Sequence, residues 1–89
     1  MRVVWTDYLK YKASLRGFDL FRIEHIIIHS SERYHDEITG RLIAVGRYGG
    51  KLVLIPYELD EYAITPVTIH ITTRQQINVR VKTGRFIHG

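Results

Sequence analysis

The stretch Val67-Thr68-Ile69-His70-Ile71-Thr72 alternates apolar with polar side chains, the pattern of a strand with one buried and one open face. Alternation puts His70 on the open face with Thr68 and Thr72, and Arg74 follows just past the strand's end. An imidazole and a guanidinium bordering one shallow surface suit phosphodiester cleavage without a metal. A base takes the ribose 2′-hydroxyl proton, cations stabilise the charged phosphorane, and an acid protonates the leaving oxygen. Spacing alone leaves a plainer reading open, in which His70 is an ordinary exposed strand residue.

Arg41 and Arg47 are six residues apart, so an extended strand puts both on one face with Ile43 and Val45, while Leu42, Ala44 and Tyr48 take the other. Apolar groups on both faces make this strand central and place the arginines at its two rims. Rim arginines can grip phosphate bidentately; salt bridges to Glu32, Glu37, Glu58 or Glu61 are their commoner fate. His25 and His29 stand four apart on a helical stretch, but no third metal ligand is evident, and no metal or other cofactor is expected. The six tyrosines can supply a base-stacking platform or serve as core residues with a wet hydroxyl. A glycine-rich phosphate loop and a Gly-x-Ser-x-Gly elbow are missing, so nucleotide hydrolysis and serine esterase chemistry are unsupported.

Charge is distributed unevenly around these candidates. In residues 1–61 nine basic and nine acidic side chains cancel, whereas residues 62–89 contain no Asp or Glu and carry Arg74, Arg80, Lys82 and Arg85, the whole net charge of +4. A purely cationic last third attracts phosphate backbones or an acidic partner, with an effect that weakens in salt, unless its charges are merely solvated.

The elements that must position these residues follow from capping and periodicity. Thr6 and Asp7 are N-cap types before a helix from Tyr8 to Arg16, with Tyr8, Tyr11 or Lys12, and Leu15 at helical spacing, and Gly17 suits its left-handed end. Asp19 caps a second helix from Leu20 to about Ser30, whose apolar stripe is Leu20, Ile23 and Ile27 with Ile26 beside it. From Ser31 the period becomes two-fold. Glu32 to His35 form a short strand, and Arg41–Tyr48 and Lys51–Glu58 flank Gly49-Gly50, a two-residue hairpin signal. Pro56 must sit at a bulge, strand end or edge, and Pro66 suits the first residue of its strand. Ile77, Val79 and Val81 alternate like a strand, yet Thr73-x-x-Gln76 is a capping box, Gly84 a C-cap, and Ile77 meets Val81 at i,i+4; the capping signals select a helix from Arg74 to about Thr83. His88 is next to last, where disorder is expected.

The expected fold is therefore α+β: two N-terminal helices packed on a three- to four-stranded antiparallel sheet, closed by a C-terminal helix, in one domain over residues 1–89. Eighty-nine residues bury about two-thirds of the chain's surface in one core, which leaves no room for a deep cleft. Absence of cysteine excludes disulfides, thiolate metal sites and thiol nucleophiles. Apolar runs such as Leu52-Val53-Leu54-Ile55 fall far short of the roughly 20 residues that span a bilayer, and the start lacks a secretory signal, so a cytoplasmic protein without membrane contact is expected.

Arg41-Leu42-Ile43-Ala44-Val45-Gly46-Arg47, the Gly49-Gly50 turn, the apolar Leu52 to Tyr57, and Ile69-His70-Ile71-Thr72-Thr73-Arg74 together resemble the central part of the BrnT-type toxins, of the RelE/ParE superfamily of type II toxin–antitoxin systems. That pattern has an Arg-x-x-Ala-x-Gly-Arg-like strand, a hairpin, a hydrophobic strand and an Ile-Ser-Ala-Arg-like ending that opens the last helix; Thr72-Thr73-Arg74 stands here in place of Ser-Ala-Arg. Trp5 and Arg16-Gly17 resemble the family's Trp-Asp start and His-Gly turn, although Thr6 intervenes before Asp7 and Arg16 stands where histidine is frequent. The resemblance implies a RelE-like fold, a toxin acting as an endoribonuclease on RNA, and neutralisation by a cognate antitoxin protein. A homodimer or a toxin–antitoxin hetero-oligomer would follow. By motif it carries over Arg74, and less closely Arg41 and Arg47; His70 is added from strand geometry. The expected site is then His70 as general acid or base, Arg74 and Arg47 on the scissile phosphate, and Arg41, Arg80, Lys82 and Arg85 along the RNA backbone. The alternative is a noncatalytic module of the same fold that binds nucleic acid or protein.

Overall fold

The computed structural model describes residues 2–89. Thr6 accepts from the Leu9 N–H and starts α1 (Asp7–Arg16), which ends on Gly17 at φ 75. The face that α1 buries is not the one its large residues suggest. Leu9 and Ala13, an i,i+4 pair, are buried, whereas Tyr8, Tyr11 and Leu15 are 59%, 65% and 68% exposed. Asp19 accepts from the Phe21 N–H and starts α2 (Leu20–His29), which buries Ile23, Ile26 and Ile27, the expected stripe.

The strands are β1 (Arg2–Val3), β2 (Glu32–Asp36), β3 (Leu42–Tyr48), β4 (Lys51–Leu59), β5 (Ala63–Pro66), β6 (His70–Thr72) and β7 (Phe86–His88); α3 (Arg74–Lys82) lies between the last two. They form one sheet in the order β1-β5-β4-β3-β2-β7, with β6 on the β5 side of β4. The expected three- to four-stranded antiparallel sheet is thus overturned. The sheet has seven strands and is mixed, because β1 pairs parallel with β5. The edge strands went unread because β1 and β7, of two and three residues, are too short to leave a periodicity. His88, expected to be disordered, lies in β7 with its ring 5.1 Å from that of Tyr34, and the Gly89 N–H donates to the Arg33 carbonyl.

Between β3 and β4, Tyr48 pairs with Lys51 around Gly49-Gly50, and only the first glycine has positive φ, at 62, as a type II′ turn requires. The β4 partner edge is less regular. Tyr57 pairs with Pro66 and Leu54 with His70, so Ile55 and Pro56 on one side face Val67, Thr68 and Ile69 on the other. That extra residue is a β-bulge, and it lies opposite Pro56, which has no N–H to give the ladder. Pro66 is therefore the last residue of β5 rather than the first of a strand. The bulge shifts the side-chain parity: Ile64 and Ile69 both reach the same core although their numbers differ by five.

Helices cover both faces. On one side α1 and α2 enclose Leu9, Ile23 and Ile27 with Ala44, Val53, Ile55 and Ile69; on the other, Ile77 of α3 meets Ile43, Val45, Leu54 and Phe86. α3 begins as the capping signal indicates, with Thr73 accepting from the Gln76 N–H, while the Gln76 side chain accepts from Thr72 instead of returning to Thr73. Gly46 lets α2 approach β3 closely, since a Cβ there would lie 2.5 Å from Ile26 Cγ2. Among the described residues, no helix is long and apolar enough to cross a membrane.

Candidate functional site

β6 is one strand width from the sheet's centre and has α3 at its C-terminal end, so its open face looks onto the flank of that helix. There the structure has a groove of about 290 Å³, floored by Ile43, Leu54 and Phe86 and rimmed by Arg41, Thr68, His70, Arg80, Arg85 and Asp36. His70 is exposed, as expected, but its neighbours reverse the expected alternation: Thr72, expected on the open face, is buried under α3, and Ile71, expected to be buried, is 47% exposed.

Lys12 of α1 reaches this face of β6. Its Nζ donates to Thr68 Oγ1 at 2.7 Å and lies 3.3 Å from His70 Nδ1. An ammonium can only donate, so Nδ1 accepts and the ring proton sits on Nε2. Burial, then the charges of Lys12, Arg16 and Arg80, hold the imidazole below its ordinary value and favour the neutral ring. Lys12 is the site residue that sequence reading missed. It comes from an element 58 residues away, and no local pattern links it to His70.

At the far end of the groove Asp36 is 3% exposed and held by a fork from Arg85, with Nε to Oδ1 and Nη2 to Oδ2 both at 3.1 Å. It also accepts from the Ile38 N–H at 2.9 Å and the Thr39 N–H at 3.4 Å, closing the turn that ends at Gly40. Burial pushes its carboxyl up, but Arg85 and these turn donors together outweigh burial and hold it at about 2. Arg85 therefore arrives at the groove already neutralised. Arg41 keeps a loose contact with Glu58, at 3.8 Å, and its buried Nε has no hydrogen-bond partner.

Arg74 and Arg47 lie elsewhere. They border a second groove of about 380 Å³ that residues from the end of α2 and the start of α3 both line, with His25, His29, Ser30 and Glu32 among them. Arg74 grips Glu32 through Nη1 at 2.6 Å and Nη2 at 2.9 Å, and Tyr34 donates to the same carboxylate at 2.6 Å. The Arg74 hydrogen bond, opposed by burial and helped by Tyr34, keeps Glu32 below the usual carboxylate range; burial and Glu32 push the Tyr34 hydroxyl up to about 12. The His25 and His29 rings are 4.7 Å apart, and no three-ligand metal cluster occurs among the described residues.

The expected grouping of His70 with Arg74 and Arg47 is thus split between two grooves. His70, Arg41, Arg80 and Arg85 come together; Arg74 and Arg47 form a separate set with two histidines; Lys82 is exposed and lines neither. Helix geometry causes the split. Arg74 and Gln76 are two positions apart, about 200° around the axis, so Arg74 leaves α3 on the flank opposite the one facing His70.

Compared with protein-family models, curated proteins and solved structures, the chain matches none.

Proposed function

We propose that the chain is a toxin-type endoribonuclease that holds RNA in the groove around His70, works in the cytoplasm, and is restrained by a cognate antitoxin. One observation carries this reading: an exposed imidazole, hydrogen-bonded to an ammonium, opens on a groove that Arg41, Arg80 and Arg85 also line. Phosphate entering such a groove attracts Lys12 and draws it off Nδ1. The freed Nδ1 takes the 2′-hydroxyl proton, the 2′-oxygen attacks phosphorus, and the bond to the 5′-oxygen breaks as Lys12 gives that oxygen a proton. Arg41 and Arg80 stabilise the charge on the phosphorane. The products are a 2′,3′-cyclic phosphate and a 5′-hydroxyl, and proton return from the imidazolium to the lysine amine resets the site.

A second reading is favoured by the resting arrangement itself. With Lys12 hydrogen-bonded to Nδ1 the base is occupied, while Lys12 itself, Arg80 and Arg47, which no carboxylate pairs among the described residues, remain to bind phosphate without cutting it. Incubating purified protein with RNA separates the two. Cleavage leaving cyclic phosphate ends, abolished by His70→Ala and by Lys12→Met, supports the endoribonuclease. Salt-sensitive binding with intact RNA supports the binding module, and induction without an antitoxin that leaves growth and total RNA unchanged refutes the toxin.

A further inference from the structure

Gln76 and Arg80, four apart, share the flank of α3 that faces His70, and Arg74 takes the opposite flank. On the sheet beneath, Arg41 and Arg47 lie on one face at opposite ends of β3, about 20 Å apart along an extended strand, and each borders a different groove. The helix is thus a ridge between two cationic hollows. Its exposed crest, Gln75, Asn78 and Lys82 at i, i+3 and i+7, bears no carboxylate. In the second hollow Arg47 has no carboxylate partner among the described residues, and Glu32, the one acid lining it, is occupied by Arg74 and Tyr34. His25 and His29 add ring nitrogens to the same wall.

We propose that the two hollows are phosphate subsites of one single-stranded RNA track crossing α3, the second subsite being formed by Arg47, Arg74, His25 and His29. This rests on the RNA reading of the His70 groove. At ~3.4 Å per stacked nucleotide the span takes about six nucleotides, fewer if the strand is stretched. A dinucleotide can fill only one hollow, whereas an octanucleotide reaches both.

The test is the salt dependence of oligouridylate binding to the whole chain, because its slope counts phosphates neutralised and is indifferent to how many registers a long strand offers. The octanucleotide is expected to show the steeper slope of log affinity against log salt. Arg47→Ala should reduce that slope by about 0.7, the single-strand increment for one phosphate contact. Arg47→Lys should restore it, and Lys10→Ala, whose ammonium faces Asp7 and lines neither hollow, should leave it unchanged. An octanucleotide slope indifferent to Arg47→Ala, or lowered equally by Lys10→Ala, overturns the two-subsite track and leaves the RNA reading standing. Failure of both oligonucleotides to bind overturns the RNA reading itself.

Discussion

Lys12 Nζ sits 3.3 Å from His70 Nδ1, joining the first helix to a strand 58 residues later and fixing which ring nitrogen carries the proton. The same ammonium raises the cost of charging the ring, which burial has already raised. The imidazole's midpoint is therefore below its ordinary 6.5. Between the two values the unfolded chain holds more protons, so this residue's contribution to stability is lost as pH falls through that window. Lys12→Met should move the His70 midpoint upward in an NMR titration; an unmoved midpoint would refute the contact.

Asp36 and Arg85 give the same sign by the opposite route, because here the fold favours the charged form. A carboxyl held at about 2 against an ordinary 3.8 stabilises the fold at neutral pH by about 2 kcal/mol, and that contribution disappears as pH falls from about 4 to 2. Arg85→Met leaves the carboxylate buried with only its turn donors and should cost about 3 kcal/mol in urea unfolding at pH 7. Asp36→Asn should flatten the acid limb of the stability profile. If the acid limb of Asp36→Asn matches that of the parent, the pair does not carry the dependence.

Gly46 is a packing requirement. Gly46→Ala drives a methyl into Ile26 and should destabilise by about 1–3 kcal/mol, since both the strand and the β-branched side chain are stiff. The loss should be smaller when introduced into Ile26→Ala, where the obstructing carbons are gone. Additive losses in that double-mutant cycle would place the strain elsewhere.

Glu32 competes with any anion for Arg74. Glu32→Gln should cost about 0.5–1 kcal/mol of stability, because the pair is partly exposed and screened. It should tighten octanucleotide binding several-fold by releasing the guanidinium. Unchanged affinity would remove Arg74 from the RNA track.

Short-range chemistry was readable along the chain. Thr6, Asp19 and Thr73 start helices where a side-chain oxygen can take an orphaned N–H, and Gly49-Gly50 turns a hairpin because glycine accepts positive φ. The exposure of His70 was readable too, although Ile71 and Thr72 beside it reverse the expected burial. The bulge itself was not. Val67, Thr68 and Ile69 show the same alternation whether two or three residues oppose Ile55 and Pro56, and only pairing with β4 decides between them. The buried side of α1 was misread for a related reason: Tyr8, Tyr11 and Leu15 face water, and Leu9 with Ala13 one turn on holds the helix down.

Local sequence, then, determined where the helices begin, where the chief hairpin turns and which third of the chain is cationic, because those depend on groups within a few residues of one another. Tertiary structure alone decided that seven strands share one sheet, that Arg74 and Arg47 part from His70, and that Lys12 joins it. Each of those depends on which flank of a helix or face of a strand meets a distant element, and that choice is made by burial of the whole chain.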